Sequence, residues 1–345
     1  MPWRSLLAAW QARGHRATFY ERDLEFYARH RDAPPECFPT AALQVRLYTD
    51  WESVRREALA EVRRADLWMV TSFCPSGATI ASDLLAIRGP LRIFYDMDTP
   101  VTLLGLEEDR PATLDYLQAE LIPEYDLYLS FTGGPTLQEL RRRWGARAVA
   151  PLYLSIDPGA YRRQRARAEY RSRLSFLGTY AADRQKRLEE LLFAPARRHP
   201  AEMFALSGAL YPRDQIWPPN LRRWEHLRPS ELAAFYSSSD FTLNLTREAM
   251  RQRGYSPQGR LLEAACCRTP IISDAWPGVE EVFEPGREIL LAESGEDVEA
   301  HLRLPPTTLR ALTRRACQRV RRDFSGASRV QELETILGAR PHLAA

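Results

Sequence analysis

The chain has 345 residues, of which 45% are apolar and 27% charged, with a formal net charge of +3. That length points to two domains, and the absence of any run of about 18 apolar residues excludes a membrane-spanning helix. The arginine runs RRRWGAR (141–147) and YRRQRARAEYRSR (161–173) invite a nucleic-acid reading. Acidic residues nearly balance them over the chain, so they read as solvated surface, compatible with peripheral contact to an acidic membrane face or attraction of an anionic substrate.

Five cysteines (Cys37, Cys74, Cys266, Cys267, Cys317) form an odd set without C-x-x-C spacing, which argues against a disulfide framework. The N-terminus lacks the basic–apolar–cleavage layout of a signal peptide, so the reading is a cytoplasmic protein in a reducing compartment.

In chain order, a helix, WRSLLAAWQARG, feeds the strand RATFYE (16–21). Strands then follow at 67–72, 91–96, 126–131, 148–154, 173–178, 202–208, 241–246, 269–274 and 288–293. Helical segments lie between most of them, at 51–64, 77–88, 135–144, 183–193, 230–237 and 258–267. Such alternation, with apolar runs that are continuous rather than alternating, implies parallel sheets covered on both faces. The expected fold is α/β, with two doubly wound Rossmann-like domains facing a cleft, 1–155 and 156–345, joined near 151–170. A doubly wound domain normally opens on a strand, so the first strand of the N-terminal domain and its glycine-rich turn read as missing. The tail from Pro305 to Leu337 reads as helical, broken near 325–328, with the last helix packing back on the first domain.

Ligands of open parallel sheets bind beyond the carboxyl ends of strands. In the second half those positions are GTYAADR (178–184), SGALYP (207–212), TREAMRQRGYSPQGR (246–260) and DAWPGVEE (274–281). Gly178 permits close backbone approach, Tyr180 follows in the same turn, and Arg184 falls in the first turn of the next helix. Ser256 and Pro257 read as the start of a helix through GRLLEAACC, where Ser256, the first amides and Arg260 can meet phosphate oxygens. Glu263, three residues beyond Arg260, can accept hydrogen bonds from a ribose or sugar diol. A capped helix with a solvated Arg–Glu pair accounts for that spacing equally well.

In the first half, Asp96 and Asp98 close the strand in FYDMDTPVTL (94–103). They can hold a cation, act as an acid–base group, or cap the turn before Pro100. Thr132, Gly133 and Gly134, before Pro135 at a helix start, read as an acceptor-side loop built for close backbone approach, which a plain tight turn explains as well. No histidine or cysteine spacing matches a metal motif, and Cys266 and Cys267 read as small core residues.

Several stretches carry a family resemblance: FYDMDTPVTL, LSFTGGPTL, PLYLSIDP, SFLGTYAADRQKRLEELL, FTLNLTREAMRQRGYSPQGRLLEAA and PIISDAWPGVEEVFEPGREILL. Together they resemble the CgeB-like (spore maturation protein) glycosyltransferases of the GT-B fold. The resemblance implies a nucleotide-sugar donor on the C-terminal domain, with Glu263 on the ribose and Ser256, Arg260, Arg184 and Arg247 on the diphosphate. It also implies catalysis without a bound metal or cofactor, leaving Asp98, and beside it Asp96, to orient or deprotonate the acceptor. Tyr255 departs from the wider group, where a Glu eight residues before the donor Glu is common. The expected activity is glycosyl transfer from a nucleoside-diphosphate sugar to an unidentified acceptor hydroxyl, without a nucleic-acid partner. The alternatives are a nucleotide-sugar epimerase on the same fold or a non-catalytic nucleotide-sugar-binding relative.

Overall fold

The computed structural model describes residues 2–25, 43–108 and 114–338, so Cys37 lies outside the described residues. The chain divides into two compact units, one comprising Trp3–Leu154 with the segment from Gly326 on, the other Ser155–Ser325.

In the first unit, helix α1 (Pro2–Ala12) leads into β1 (Ala17–Arg22), which pairs in parallel with β2 (Leu43–Tyr48). Helix α2 (Trp51–Val62) is capped by Asp50, whose Oδ1 accepts the Ser53 N–H at 3.0 Å. A four-stranded parallel sheet follows in sequential order: β3 (Leu67–Thr71), β4 (Leu91–Asp96), β5 (Leu127–Ser130) and β6 (Val149–Pro151). Helices α3 (Gly77–Leu85), α4 (Thr99–Glu107) and α5 (Pro135–Arg142) alternate with these strands.

Strand side chains point alternately to the two faces, and here both faces are covered. Phe94 and Tyr128 join a core with Trp68, Leu103 and Leu140. Ile93, Tyr95, Leu127 and Leu129 join another with Leu152 and with Leu333 of the helix Gly326–Gly338. The Trp3 ring of α1 lies 5.6 Å from Phe19 of β1 and 5.5 Å from Tyr95 of β4, and so serves both sheets.

The second unit is one six-stranded parallel sheet. In chain order its elements are β7 (Ser172–Leu177), α6 (Ala182–Leu188), a π turn over Glu189–Phe193, α7 (Ala194–Arg198), β8 (Phe204–Ser207) and β9 (Leu221–Trp224). Then come α8 (Pro229–Ser238), β10 (Ser239–Asn244), α9 (Glu248–Arg253), α10 (Gly259–Cys266), β11 (Ile271–Ser273), α11 (Val279–Val282), β12 (Leu290–Leu291), α12 (Gly295–Leu302) and α13 (Pro306–Asp323). The chain steps outward through β7, β8 and β9, returns to the other side of β7, and continues through β10, β11 and β12. The order therefore reverses between β7 and β10, and a crevice must open beyond their carboxyl ends.

All ten strands expected from the sequence are present, together with two that the sequence did not show, β2 and the edge strand β9. Cys266 and Cys267 are buried in the small-residue face of α10, and burial pushes the Cys266 thiol up to about 12, which keeps it an unreactive core group.

Where β7 and β8 end, the two chains touch without side chains between them. A Cβ built on Gly208 would stand 1.9 Å from the Gly178 carbonyl oxygen. Gly208→Ala is therefore expected to lower stability by ~1–3 kcal/mol through overpacking, read as a drop in melting temperature. Gly338→Ala, whose Cβ would meet nothing within 4 Å, should leave it unchanged.

Candidate functional site

The crevice between β7 and β10 is lined by a pair of like charges. Arg184, from the first turn of α6, and Arg260, from the first turn of α10, both lie over the Phe176 ring of β7, with guanidinium carbons 5.2 and 5.7 Å from its centroid. Phe176 is fully buried and Arg184 is only 5% exposed. Among the described residues neither arginine forms an ion pair. Arg184 donates to the Thr179 carbonyl, while Arg260 Nη1 is buried without a partner.

Burial, followed by repulsion from Arg260, lowers the Arg184 guanidinium to about 10, and burial lowers that of Arg260 as well. A like-charged pair set against an aromatic face is costly unless an anion completes it. Arg247, at the N-cap of α9, adds to the positive potential felt by Arg184, and its own nearest acid, Asp183, is 3.6 Å away.

Other buried polar atoms nearby also lack partners. They are Oδ1 of Asn244 at the end of β10, Oε1 of Gln258, the N-cap residue of α10, and Nε1 of Trp276 after β11. An unpartnered buried polar atom costs ~1–3 kcal/mol, and these three stand at the end of β10, at the start of α10 and just after β11. Asp274, at the end of β11, steadies this region by accepting the Thr246 N–H and hydroxyl at 3.0 and 2.9 Å, which fixes where the segment after β10 departs.

The helix bearing Arg260 begins at Gly259, with Gln258 at the N-cap, not at Ser256–Pro257 as the sequence suggested. The physical reason lies in the preceding turn, where Gly254 and Tyr255 both take left-handed backbone, with φ of 67° and 51°. Tyr255 N–H donates to the Pro277 carbonyl at 2.6 Å and its ring rests on Gly278, where a Cβ would come within 2.4 Å. Ser256 is buried in the same turn, 3% exposed.

Glu263 is not a solvated partner of Arg260. Its Oε2 accepts the Tyr236 hydroxyl at 3.0 Å, and Tyr161 is a second hydrogen-bond partner. Burial raises its carboxyl above the usual range, and the two tyrosines partly offset that. On the β7 side, the Tyr211 hydroxyl donates to the Gly178 carbonyl at 3.1 Å and its ring meets Tyr180 edge-on at 5.5 Å. Thus Gly178, Tyr180, Arg184, Arg247, Tyr255, Ser256, Arg260 and Glu263 all belong to the loops and helices that follow β7 and β10. Phe176 within β7, Tyr161 ahead of it, Tyr236 on α8 and Asn244 at the end of β10 were not singled out in the sequence, whereas Tyr211 and Gln258 fall in the strand-end stretches 207–212 and 246–260.

Asp96, Asp98 and the 132–134 turn lie in the other unit. Asp96 is fully buried and engaged. Its Oδ2 accepts the Tyr128 hydroxyl at 2.6 Å, and its Oδ1 accepts the Thr102 hydroxyl at 3.0 Å and the Asp98 N–H at 3.1 Å. Asp98 is half-buried at the N-cap of α4. Thr132 N–H donates to Ser130 Oγ at 2.9 Å, Ser130 Oγ lies 2.7 Å from Thr99 Oγ1, and Gly134, with φ of 58°, starts α5. Among the described residues no three His, Cys, Asp or Glu side chains gather as a metal-ligand set, and no helix is long and apolar enough to cross a membrane.

These features define a class of protein, the GT-B fold, with two like-charged arginines on one ring at the switch point of its C-terminal unit. Residues 184–335, which carry both arginines and Glu263, match the family described as "Glycosyl transferase-like". None of the curated proteins matches the sequence significantly.

Among solved structures the chain is similar to sucrose-phosphate synthase from Thermosynechococcus elongatus, with a TM-score of 0.67 at 16% identity over 97% of this chain and 92% of that one. It is also similar to an alpha-glucosyltransferase in complex with UDP and a 13-mer DNA (TM-score 0.68, 14% identity, 97% and 94% covered). A third is HepE from Anabaena in complex with UDP and glucose (TM-score 0.63, 10% identity, 86% of each chain).

Replacing Arg184 or Arg260 by Met should leave the melting temperature no lower than that of the parent, because repulsion between buried cations is removed. Affinity for pyrophosphate should fall about tenfold or more, the loss of a hydrogen bond to a charged group. Calorimetric titration of both variants checks this.

Proposed function

We propose that the protein is a glycosyltransferase that moves a sugar from a nucleoside-diphosphate donor to an acceptor hydroxyl. The observation that carries this reading is the Arg184–Arg260 pair on Phe176, without an ion pair among the described residues, at the switch point of the sheet. The match of residues 184–335 to a glycosyl transferase-like family supports it.

In this reading the diphosphate lies against Arg184 and Arg260 and the N-terminus of α10, with Arg247 beside it. Negative charge that develops on the departing diphosphate meets fixed cations held in a low-dielectric wall, so no reorganisation is needed as the glycosidic bond breaks. Glu263, oriented by Tyr236 and Tyr161, accepts hydrogen bonds from the ribose diol. Asp98 takes the proton of the acceptor hydroxyl. Asp96, with both oxygens already engaged, holds the turn that presents Asp98 and acts as a positioning residue.

The donor nucleotide to test first is UDP, which several proteins of similar fold are seen to bind. The CgeB-like subgroup, a hexosyl donor, metal-independent turnover, a cytoplasmic location and the absence of a nucleic-acid partner complete the proposal.

The deciding experiment is titration with UDP, GDP, dTDP and ADP, with and without manganese, followed by donor turnover. Saturable binding of one nucleotide, indifferent to manganese, is the expected result. A folded protein that binds none of them overturns the reading.

Glu263→Gln should weaken nucleotide binding about tenfold and leave pyrophosphate binding intact. Because the Glu263 carboxyl sits above its ordinary range, nucleotide affinity should begin to decline on acidification at a higher pH than a solvated carboxylate would give. A 2′,3′-dideoxy analogue should show no such decline. Asp98→Asn should keep donor affinity and lower turnover by two or more orders of magnitude.

A further inference from the structure

The turn after β3 carries a strain that the donor site does not explain. Phe73 and Ser76, neither of them glycine, both adopt left-handed backbone, with φ of 64° and 61°. Each such residue costs ~1–3 kcal/mol, and for a bulky side chain the conformation is rare. The result is a phenylalanine held outward, 50% exposed just beyond the carboxyl end of the half-buried edge strand β3.

The ring is supported from below. Tyr116, itself buried, lies 5.6 Å from Phe73 between centroids, tilted by 49°, and stacks in turn on Phe94 at 6.4 Å. Tyr116 cannot retreat, because the first turn of α3 presses on its backbone: a Cβ on Gly77 would stand 2.9 Å from Tyr116 Cα. The turn is pinned at its other end by Ser76 N–H, which donates to Asp115 Oδ2 at 2.9 Å.

Polar groups surround this platform. Met97 N–H donates to Ser72 Oγ at 2.8 Å, which ties the turn bearing Phe73 to the turn bearing Asp98. The Tyr116 hydroxyl is 3.0 Å from Thr102 Oγ1, and Thr102 donates to Asp96 at 3.0 Å, so Tyr116 and the Asp96–Asp98 turn share one network. Asp115 is exposed beside Ser76. An exposed aromatic face bordered by carboxylates suits a ligand with one C–H face and a rim of hydroxyls. A flat apolar ligand gains nothing from the carboxylates, and an anionic lipid surface is repelled by them.

We propose that Phe73 is the stacking platform of a saccharide subsite, and that the molecule accepting the transferred sugar is itself a sugar. Its C–H face lies on the negatively polarised face of the Phe73 ring. Asp98 and Asp115 accept hydrogen bonds from its hydroxyls, and the hydroxyl that meets Asp98 is the one glycosylated. This rests on the glycosyltransferase reading above and adds the chemical class of the acceptor.

The test is saturation-transfer NMR on the full chain. The probes are methyl glucosides, galactosides and N-acetylglucosaminides, the corresponding disaccharides, and 4-methylumbelliferone as an aromatic alcohol. Phe73→Asn removes the ring and leaves a residue at ease in left-handed backbone, so the turn is kept. Phe73→Trp keeps an aromatic face.

Transfer to the C–H protons of at least one sugar is expected in the parent and in Phe73→Trp, with affinity about tenfold weaker in Phe73→Asn. UDP affinity should be equal in all three. The proposal is overturned if no sugar shows a signal that depends on Phe73, or if only the aromatic alcohol does. Failure of UDP to bind the parent protein would instead overturn the glycosyltransferase reading, independently of the sugar result.

Discussion

Two guanidinium groups held against one phenyl ring, without a carboxylate between them, set the requirements that the C-terminal unit meets. Phe176 must be fully buried at the end of the central strand, so β7 is flanked by β8 and β10 and never reaches an edge. Arg184 must enter from the helix after β7 and Arg260 from the helix after β10, so the chain must reverse its direction of travel across the sheet at that point. Gly208 must be a glycine because a Cβ there would stand 1.9 Å from the Gly178 carbonyl oxygen, and a Cβ on Gly178 would press within 2.7 Å of the Phe176 ring and 3.0 Å of the Arg184 guanidinium. Each of these is a local sequence choice, yet all serve one electrostatic arrangement, which the proposed diphosphate would complete.

The carboxylates of the two units are treated in opposite ways. Asp96 and Asp274 are buried and fully used, one by Tyr128, Thr102 and the Asp98 amide, the other by Thr246. In both, burial raises the carboxyl above its usual range and the hydrogen bonds partly restore it. They act as struts that aim the loops leaving β4 and β10. Glu263 is less completely enclosed and is held by tyrosines whose hydroxyls can be shared with a ligand. Strain follows the same division of labour. Among the described non-glycine residues with left-handed backbone, Phe73, Ser76 and Tyr255 belong to segments that follow β3 and β10, where carboxyl-end loops carry function and rigid strands absorb the cost.

The fold was largely legible in the sequence because its strands are continuous apolar runs punctuated by glycine and proline. The two strands that escaped notice show why the signal has limits. In β2, LQVRLY carries Gln44 and Arg46 and its middle residues are only partly covered, while β9, LRRW, is an edge strand with two exposed arginines. Neither has the buried-on-both-faces composition that marks a parallel strand. The start of α10 was misplaced for a different reason. Ser256 and Pro257 are good start signals, but the left-handed backbone at Gly254 and Tyr255, fixed by Pro277 and Gly278 from the next loop, postpones the helix to Gly259.

The sequence by itself determined the strand–helix alternation, the positions of Arg184, Arg260 and Glu263 at loop and helix starts, and the small-residue packing of α10. Those are consequences of local periodicity and of residue types that suit a turn or a helix end. Only the tertiary structure decided that Arg184 and Arg260, 76 positions apart in the chain, share the Phe176 ring. It also decided that Glu263 belongs to Tyr161 and Tyr236, and that Phe73 faces outward over Tyr116. Charge repulsion, burial and ring contact act through space and depend on which strand ends are neighbours. That order is set by the winding of the whole sheet and leaves no mark on the spacing of residues along the chain.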